Sequence, residues 1–200
     1  MPLRARIGRQ ELSFGSEWLV GVNDTAAGFT GLSFDAIRLT YAVDMFSVDA
    51  FAAALQENGN WEQDGDVWMY GLYGSYLGFE DITIDAYYLL VRDAVSLNDT
   101  FSAWYSEWLE NFIGVDDYDA SYLNTIGLRG AGTIGAFDFE SEVAMQWGDA
   151  DAVGVGFRPF AYGDDGAEFD AWAVNLEAGY TFDMTWQPRV YLGYAFFEGE

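Results

Sequence analysis

The chain has 200 residues, of which 51% are hydrophobic and 18% are aromatic. It contains no cysteine and no histidine, which excludes disulfides, thiolate catalysis, a Ser-His-Asp triad and zinc sites of the usual kind. Its formal net charge of −25 at pH 7 argues against nucleic acid as a partner, because nucleic-acid binding requires a basic surface.

Alternation of apolar and polar residues predicts nine strands. In residues 136–149, for example, Phe137 and Met145 share one parity, whereas Asp138 and Glu142 share the other. Successive side chains of a strand point to opposite faces, so this segment has one apolar face and one acidic face. The predicted strands are 3–12, 34–43, 46–56, 67–78, 81–92, 121–131, 134–147, 170–182 and 188–197.

The connections between these strands alternate in length. Strict alternation of long loops with tight turns is typical of outer-membrane barrels, which have extracellular loops and periplasmic turns. About ten residues of tilted strand suffice to cross a bilayer, whereas no stretch approaches the ~20 apolar residues of a membrane helix. The long connections are 13–33, 57–66, 93–120 and 148–169, and the short ones are 44–45, 77–80, 131–133 and 183–187.

The fold that these features predict is an all-β, antiparallel, up-and-down transmembrane β-barrel whose apolar faces meet lipid. Aromatic residues near the strand ends agree with the girdles that such barrels place at both membrane interfaces. These aromatics are Phe34, Tyr41, Trp68, Phe79, Tyr122, Trp147, Trp172, Phe182, Tyr194 and Phe196. The alternative is a soluble β-domain that binds ligands or partners, in which the same aromatics would cap a core.

Several sequence blocks carry a family resemblance. They are RIGRQELSFG at 6–15, LSFDAIRLTY at 32–41, VDAFAA at 48–53, MYGLYGSY at 69–76, NTIGLRGAG at 124–132, FDFESEVAMQWG at 137–148, AWAVNLEAGYTF at 171–182 and PRVYLGYAFFEGE at 188–200. In this order the blocks resemble the alginate export family of outer-membrane β-barrels, and the resemblance spans essentially the whole chain.

The resemblance implies a porin-like barrel of about eighteen strands in the bacterial cell outer membrane. Such a channel exports an anionic polysaccharide such as alginate, or lets related hydrophilic solutes diffuse passively. The implied partners are outer-membrane lipid, lipopolysaccharide and a hydrophilic or saccharide solute. Transport needs no covalent chemistry, so we expect no enzyme activity, no catalytic residue, no cofactor and no metal. We also expect residues 1–200 to be a single β-barrel domain, an open internal fragment of a longer chain.

Charged residues on the polar parity are the candidates for a lumen wall that contacts the solute. In the first strand the parity is ambiguous, because Arg6 and Gln10 share one face and Arg9 and Glu11 share the other. One interpretation is that Gly8 marks a bulge, which would turn Arg9 and Glu11 inward together. The candidate solute-binding residues are Arg9, Glu11, Arg38, Asp85, Arg129, Glu140, Glu142 and Glu177. The same parity also points Asp49, Asp138 and Arg189 inward.

The resemblance makes Arg9, Arg38 and Arg129 candidates for a carboxylate-binding wall, because a guanidinium group can fork onto a uronate carboxylate. The alternative is that these arginines pair with neighbouring lumen acids. Glu140 and Glu142 would repel a polyanion at close range. A general or cation-preferring porin on the same scaffold is therefore the alternative function.

The long connections hold two further features. Aromatic residues recur at helical spacing in loop 93–120, which we interpret either as a lid over the mouth or as a helix packed on the barrel rim. The acidic stretches 116–119 and 163–170 are interpreted either as calcium-binding loops or as solvated loops.

Overall fold

The computed structural model describes residues 2–22, 31–56, 66–93, 121–149 and 168–199. Within these ranges the chain forms nine β-strands and no helix, and hence no helix long and apolar enough to cross a membrane. The strands are β1 (Leu3–Gln10), β2 (Phe34–Val43), β3 (Phe46–Gln56), β4 (Val67–Phe79), β5 (Ile82–Asp93), β6 (Ser121–Ile134), β7 (Phe137–Asp149), β8 (Glu168–Thr181) and β9 (Arg189–Gly199).

All nine strands belong to one antiparallel sheet, in which each strand pairs with its neighbours in sequence. The strands have 8 to 14 residues, a length that suits tilted strands in a bilayer. Since β1 and β9 lie at the two edges, the sheet is open. This topology confirms the predicted up-and-down arrangement and is that of a partial β-barrel.

Seven of the nine strands begin or end one to three residues away from the predicted positions, and only β2 and β3 match at both ends. The first strand ends at Gln10 rather than at 12, and β6 continues to Ile134, through the turn predicted at 131–133. The turn between β6 and β7 instead uses Gly135, whose φ is +65°. A residue with a Cβ rarely adopts this conformation, whereas glycine does so without steric cost. The position of the turn is therefore set by the glycine.

The outer face of the sheet is apolar and exposed. Its side chains include Ile37, Leu72, Ile126, Leu128 and Met145, which are 49% to 55% exposed. Soluble proteins rarely expose contiguous apolar surface on this scale, whereas lipid tails provide it with an apolar environment. The apolar parity of the sequence thus corresponds to this exposed face.

Aromatic side chains form two rows on the outer face. Near the short turns, the ring centroids of Phe137 and Tyr180 lie 4.8 Å apart; near the long connections, those of Trp172 and Phe196 lie 5.0 Å apart. Along β7, Phe137 and Trp147 mark the two rows. At ~3.4 Å per residue they are about 34 Å apart along the strand, or about 26 Å along the membrane normal at a tilt of about 40°. This height matches the apolar band of an outer-membrane barrel.

Candidate functional site

The inner face, opposite the apolar one, carries the charged side chains of the strands. Asp85, Arg129 and Glu142 lie directly across from one another on β5, β6 and β7, and Thr40 lies across from Asp49 on β2 and β3. Cross-strand partners share a face of the sheet. The polar residues of separate strands thus form one charged surface.

Arg129 is held between two carboxylates. Its Nη1 donates to Asp85 Oδ2 at 2.7 Å, and its Nε donates to Glu140 Oε1 at 3.0 Å. The side chains of Arg129 and Asp85 are 12% and 3% exposed, so their charges are largely removed from water. Buried charges need such partners. Arg129 is therefore paired with acids of neighbouring strands on two sides.

A second cluster lies beside the first on β7, β8 and β9. Arg189 donates through Nε to Asp138 Oδ1 at 3.1 Å and through Nη2 to Glu177 Oε1 at 2.6 Å. Glu177 lies directly across from Glu140, so two like charges meet at this point. Each of these glutamates has an arginine on its other side, which relieves the repulsion. The two clusters adjoin at this pair, and we refer to their four carboxylates and two guanidinium groups together as the network.

Arg38 forms a third ion pair, with Asp49. Its Nε donates to Asp49 Oδ1 at 2.8 Å, and the hydroxyl of Thr40 donates to the same carboxylate. The guanidinium carbon of Arg38 also lies 4.8 Å from the centroid of the Phe14 ring, a cation–π contact. Three of the inner-face arginines thus pair with neighbouring acids.

The structure places Arg9 on the opposite, outer face of the sheet. Arg9 lies across from Asp35 and donates to its Oδ2 at 2.8 Å, on the face that carries Ile37. Gly8 has a φ of +108°, yet the pairing of β1 with β2 runs through it without a register shift. No bulge therefore turns Arg9 inward, and the ion pair with Asp35 stabilises the outer position. Glu11 is exposed beyond the end of β1.

Arg4 and Arg6 occupy the inner face of β1 instead. Arg6 lies across from Arg38, and Arg4 lies across from Thr40, so both share the face of the charged residues. Both are exposed, and neither side chain forms an ion pair or hydrogen bond within the described residues. The sequence offered two parities for β1, and only the register with β2 distinguishes them. We call Arg4 and Arg6 the arginine edge.

Residues 11–22, which we call the inner segment, pack onto the inner face. Leu12, Phe14 and Val20 are 0%, 9% and 6% exposed. The ring of Phe14 stacks on those of Phe51 and Tyr73, with centroids 5.1 Å and 4.8 Å away. The chain therefore leaves the sheet after Gln10, and this explains the early end of β1. Most of this segment belongs to the connection predicted to project from the barrel.

The inner segment runs across several strands. Gly15 lies against the side chains of Tyr73 and Arg129, and Ser16 Oγ is 3.5 Å from Glu142 Oε2. The ring centroid of Trp18 is 6.0 Å from that of Phe197 on β9. The segment thus extends from the middle of the sheet to its β9 edge, over the inner face.

Glu142 lies beneath this segment. It is 4% exposed, and its Oε1 accepts a hydrogen bond from the Tyr87 hydroxyl at 2.7 Å. Asp85 is buried in the same region. These two acids were among the candidates for solute contact, and the structure places both in the protein interior.

Comparison with known protein families identifies the family to which the chain belongs. A family model described as alginate export matches residues 1–200. The chain belongs to the alginate export family. No curated protein and no solved structure matches. Alginate export is a transport family of outer-membrane β-barrels, so the inner face of this sheet belongs to the interior of a barrel.

In this member of the alginate export family, positive and negative charges are distributed unequally over the inner face. The arginine edge contributes two positive charges on β1 whose side chains have no partner among the described residues. The network of Asp85, Arg129, Glu140, Glu177, Arg189 and Asp138 has four carboxylates and two guanidinium groups, and a formal charge of −2. The inner face is therefore basic at β1 and acidic from β5 to β9.

Some predicted features lie outside the described residues. The helical stretch in loop 93–120 and the acidic stretch 116–119 are among them, and of 163–170 only 168–170 is described. In the described part of the chain, no group of three or more acidic residues is arranged to hold a metal ion.

Proposed function

We propose that this chain forms part of the wall of a channel in the bacterial cell outer membrane, through which an anionic polysaccharide such as alginate is exported. The observation that carries this proposal is the arginine edge. Arg4 and Arg6 are exposed, unpaired within the described residues and next to each other on one face. Guanidinium groups spaced along a strand suit successive carboxylates of a polyuronate.

The burial of two acids removes an objection to a polyanionic solute. Asp85 and Glu142 are covered by the inner segment and its neighbours, so the solute does not meet them directly. The most exposed acid of the network is Glu177, with 39% of its side chain exposed, and it is paired with Arg189. Export then follows the concentration gradient, and the lumen charges set the solute preference.

A general or cation-preferring porin is the second candidate. The observation that favours it is the formal charge of −2 on the network between β5 and β9, together with the partial exposure of Asp138 and Glu140. On this alternative, the acidic side of the lumen attracts cations and the arginine edge serves only to balance it.

The reversal potential in a planar bilayer under a salt gradient distinguishes the two candidates. The full-length protein is compared with the double variant Arg4→Gln/Arg6→Gln and with the control Arg9→Gln, which removes an exposed arginine from the outer face. We expect anion preference in the parent, a shift towards cations in the double variant and no shift in the control. Cation preference in the parent would support the porin instead.

Binding of an oligouronate provides a second measurement on the same variants. Each exposed ion pair contributes about 0.2–1 kcal/mol, so loss of two pairs weakens block of the ion current by a uronate oligomer by roughly two- to thirty-fold. Equal block of the parent and the double variant would contradict a role for the arginine edge. Recovery of the protein in the soluble fraction without detergent would contradict the channel itself.

A further inference from the structure

We infer that the inner segment, residues 11–22, is a fixed constriction that sets the size limit of the channel and admits a single extended saccharide chain. This inference rests on the proposed channel function and names the element that selects by size. Phe14 and Gly15 make the contacts that hold the segment to the wall. Glu142 becomes a positioning residue for the segment rather than a contact for the solute.

The position of the segment is the first argument. Tyr73, which stacks on Phe14, is the central residue of β4, with six residues on either side of it. Glu142, which faces Ser16, is also close to the middle of β7. A segment that touches the middle of two spanning strands lies near the middle of the membrane, where it narrows the path between the two mouths.

The direction of the segment is the second argument. From Phe14 beside β3 and β4, it passes Arg129 on β6 and reaches Phe197 on β9. A chain that crosses strands, rather than following one, occupies interior width that the solute would otherwise use. Leu19 is 41% exposed, so the segment also presents surface that is not packed on the wall.

The fit of the segment to the wall is the third argument, and it indicates a fixed position. A Cβ at Gly15 would lie 2.9 Å from the Tyr73 hydroxyl and 3.0 Å from Arg129 Cδ, and the φ of Gly15 is +58°. Only glycine combines this φ with so close an approach at no steric cost. The apolar side chains of Leu12, Phe14 and Val20 are buried on either side of this contact.

Hydrogen bonds within the segment give it a defined shape. The Phe14 amide donates to the Val20 carbonyl at 3.1 Å, and the Glu17 amide donates to the Phe14 carbonyl at 3.0 Å. The carboxylate of Glu17 accepts from the Val22 amide at 3.0 Å and from the Ser13 hydroxyl at 2.5 Å. A loop closed on itself and anchored by buried side chains behaves as part of the wall.

Single-channel conductance of the full-length protein tests the constriction. We compare the parent with a variant lacking residues 13–20 and with Gly15→Val, which displaces the segment without deleting it. We expect conductance to rise roughly two-fold or more in the deletion, since a wider pore passes more ions, and larger neutral polymers to enter it. Gly15→Val is expected to change conductance in the same direction by less.

A single thiol gives an independent measurement, because the chain has no cysteine of its own. A bulky thiol reagent should lower the current through Leu19→Cys and leave Arg9→Cys, on the outer face, unchanged. A short bifunctional reagent that joins Trp18→Cys to Phe197→Cys should leave conductance unchanged, because a fixed segment already holds these positions together.

The outcomes separate this inference from the channel proposal. A conducting parent whose deletion variant has the same conductance and polymer cut-off would overturn the constriction alone. Loss of conductance on cross-linking would show a moving gate and would overturn the fixed position. No conductance from any inserted variant would overturn the proposed channel, and the constriction with it.

Discussion

At the scale of single residues, the register between strands decides which arginines a solute can reach. Arg6 and Arg9 are three positions apart on β1, yet one shares the face of Arg38 and the other pairs with Asp35 on the outer face. Composition and alternation cannot show which of the two arginines faces inward, because β1 has basic residues on both of its faces. The pairing with β2 separates them.

Arg129 provides the residue-scale prediction. Replacing it with Gln leaves Asp85 and Glu140 without their cation in a region where Asp85 is almost fully buried. Breaking a buried pair by removing one partner costs about 3–5 kcal/mol. We expect a lower midpoint of urea unfolding for the Arg129→Gln protein refolded into lipid vesicles.

The control for that measurement is Arg9→Gln. The side chains of Arg9 and Asp35 are 73% and 51% exposed, and exposed pairs contribute about 0–1 kcal/mol. An equal loss of stability in the two variants would contradict the distinction between a buried network and an exposed outer pair.

At the scale of elements, the strands were predictable from sequence and the inner segment was not. All nine strands, and the faces of every strand except β1, follow from period-two alternation, because one face of each strand is apolar. Phe14 and Val20 carried a signal, since apolar residues in a connection that is predicted to be exposed need burial. Nothing local in the sequence specifies that their burial site is the inner face of β3 and β4.

The inner face also contradicts the simple expectation of a polar lumen. Phe51, Met69 and Leu89 are buried there, at 6% to 7% exposure, because Phe14 and its neighbours cover them. Because these inward-facing residues are apolar, the alternation of apolar and polar residues is weaker in β3, β4 and β5. The inner segment that covers them explains why they are apolar.

Phe14 provides the element-scale prediction. Phe14→Ala removes the ring that stacks on Phe51 and Tyr73, and truncation of a buried Phe costs about 3–5 kcal/mol. If the substitution destabilises the attached state of the inner segment by this amount, the fraction of molecules with a detached segment rises about a hundred-fold or more. We expect hydrogen exchange at the Glu17 amide, which donates to the carbonyl of residue 14, to accelerate by a similar factor.

Phe46→Ala is the matched control for Phe14→Ala. Phe46 is 48% exposed on the outer face and contacts Tyr76 near a short turn. Its truncation should leave exchange at Glu17 unchanged. Unchanged exchange in Phe14→Ala would instead mean that the inner segment is held by something other than the Phe14 stack.

At the scale of the whole molecule, the open sheet has two faces that suit two environments. The outer face has large exposed apolar side chains between two aromatic rows about 26 Å apart, and the inner face has ion-pair networks and a covering segment. Both edge strands leave backbone groups unpaired within the described sheet. Such groups cannot face lipid, so they must be paired or covered where the sheet lies in a membrane.

The most direct test of this two-faced arrangement is a spin-label scan along β7 in vesicles, with one cysteine introduced at a time. Oxygen, which concentrates in lipid, should reach labels at Phe139, Val143 and Met145. A water-soluble nickel reagent should reach labels at Asp138, Glu140 and Gln146 instead. We expect accessibility to alternate in this way along β7. Labels of both parities with equal accessibility to the two reagents would contradict a strand with lipid on one side and a water-filled channel on the other.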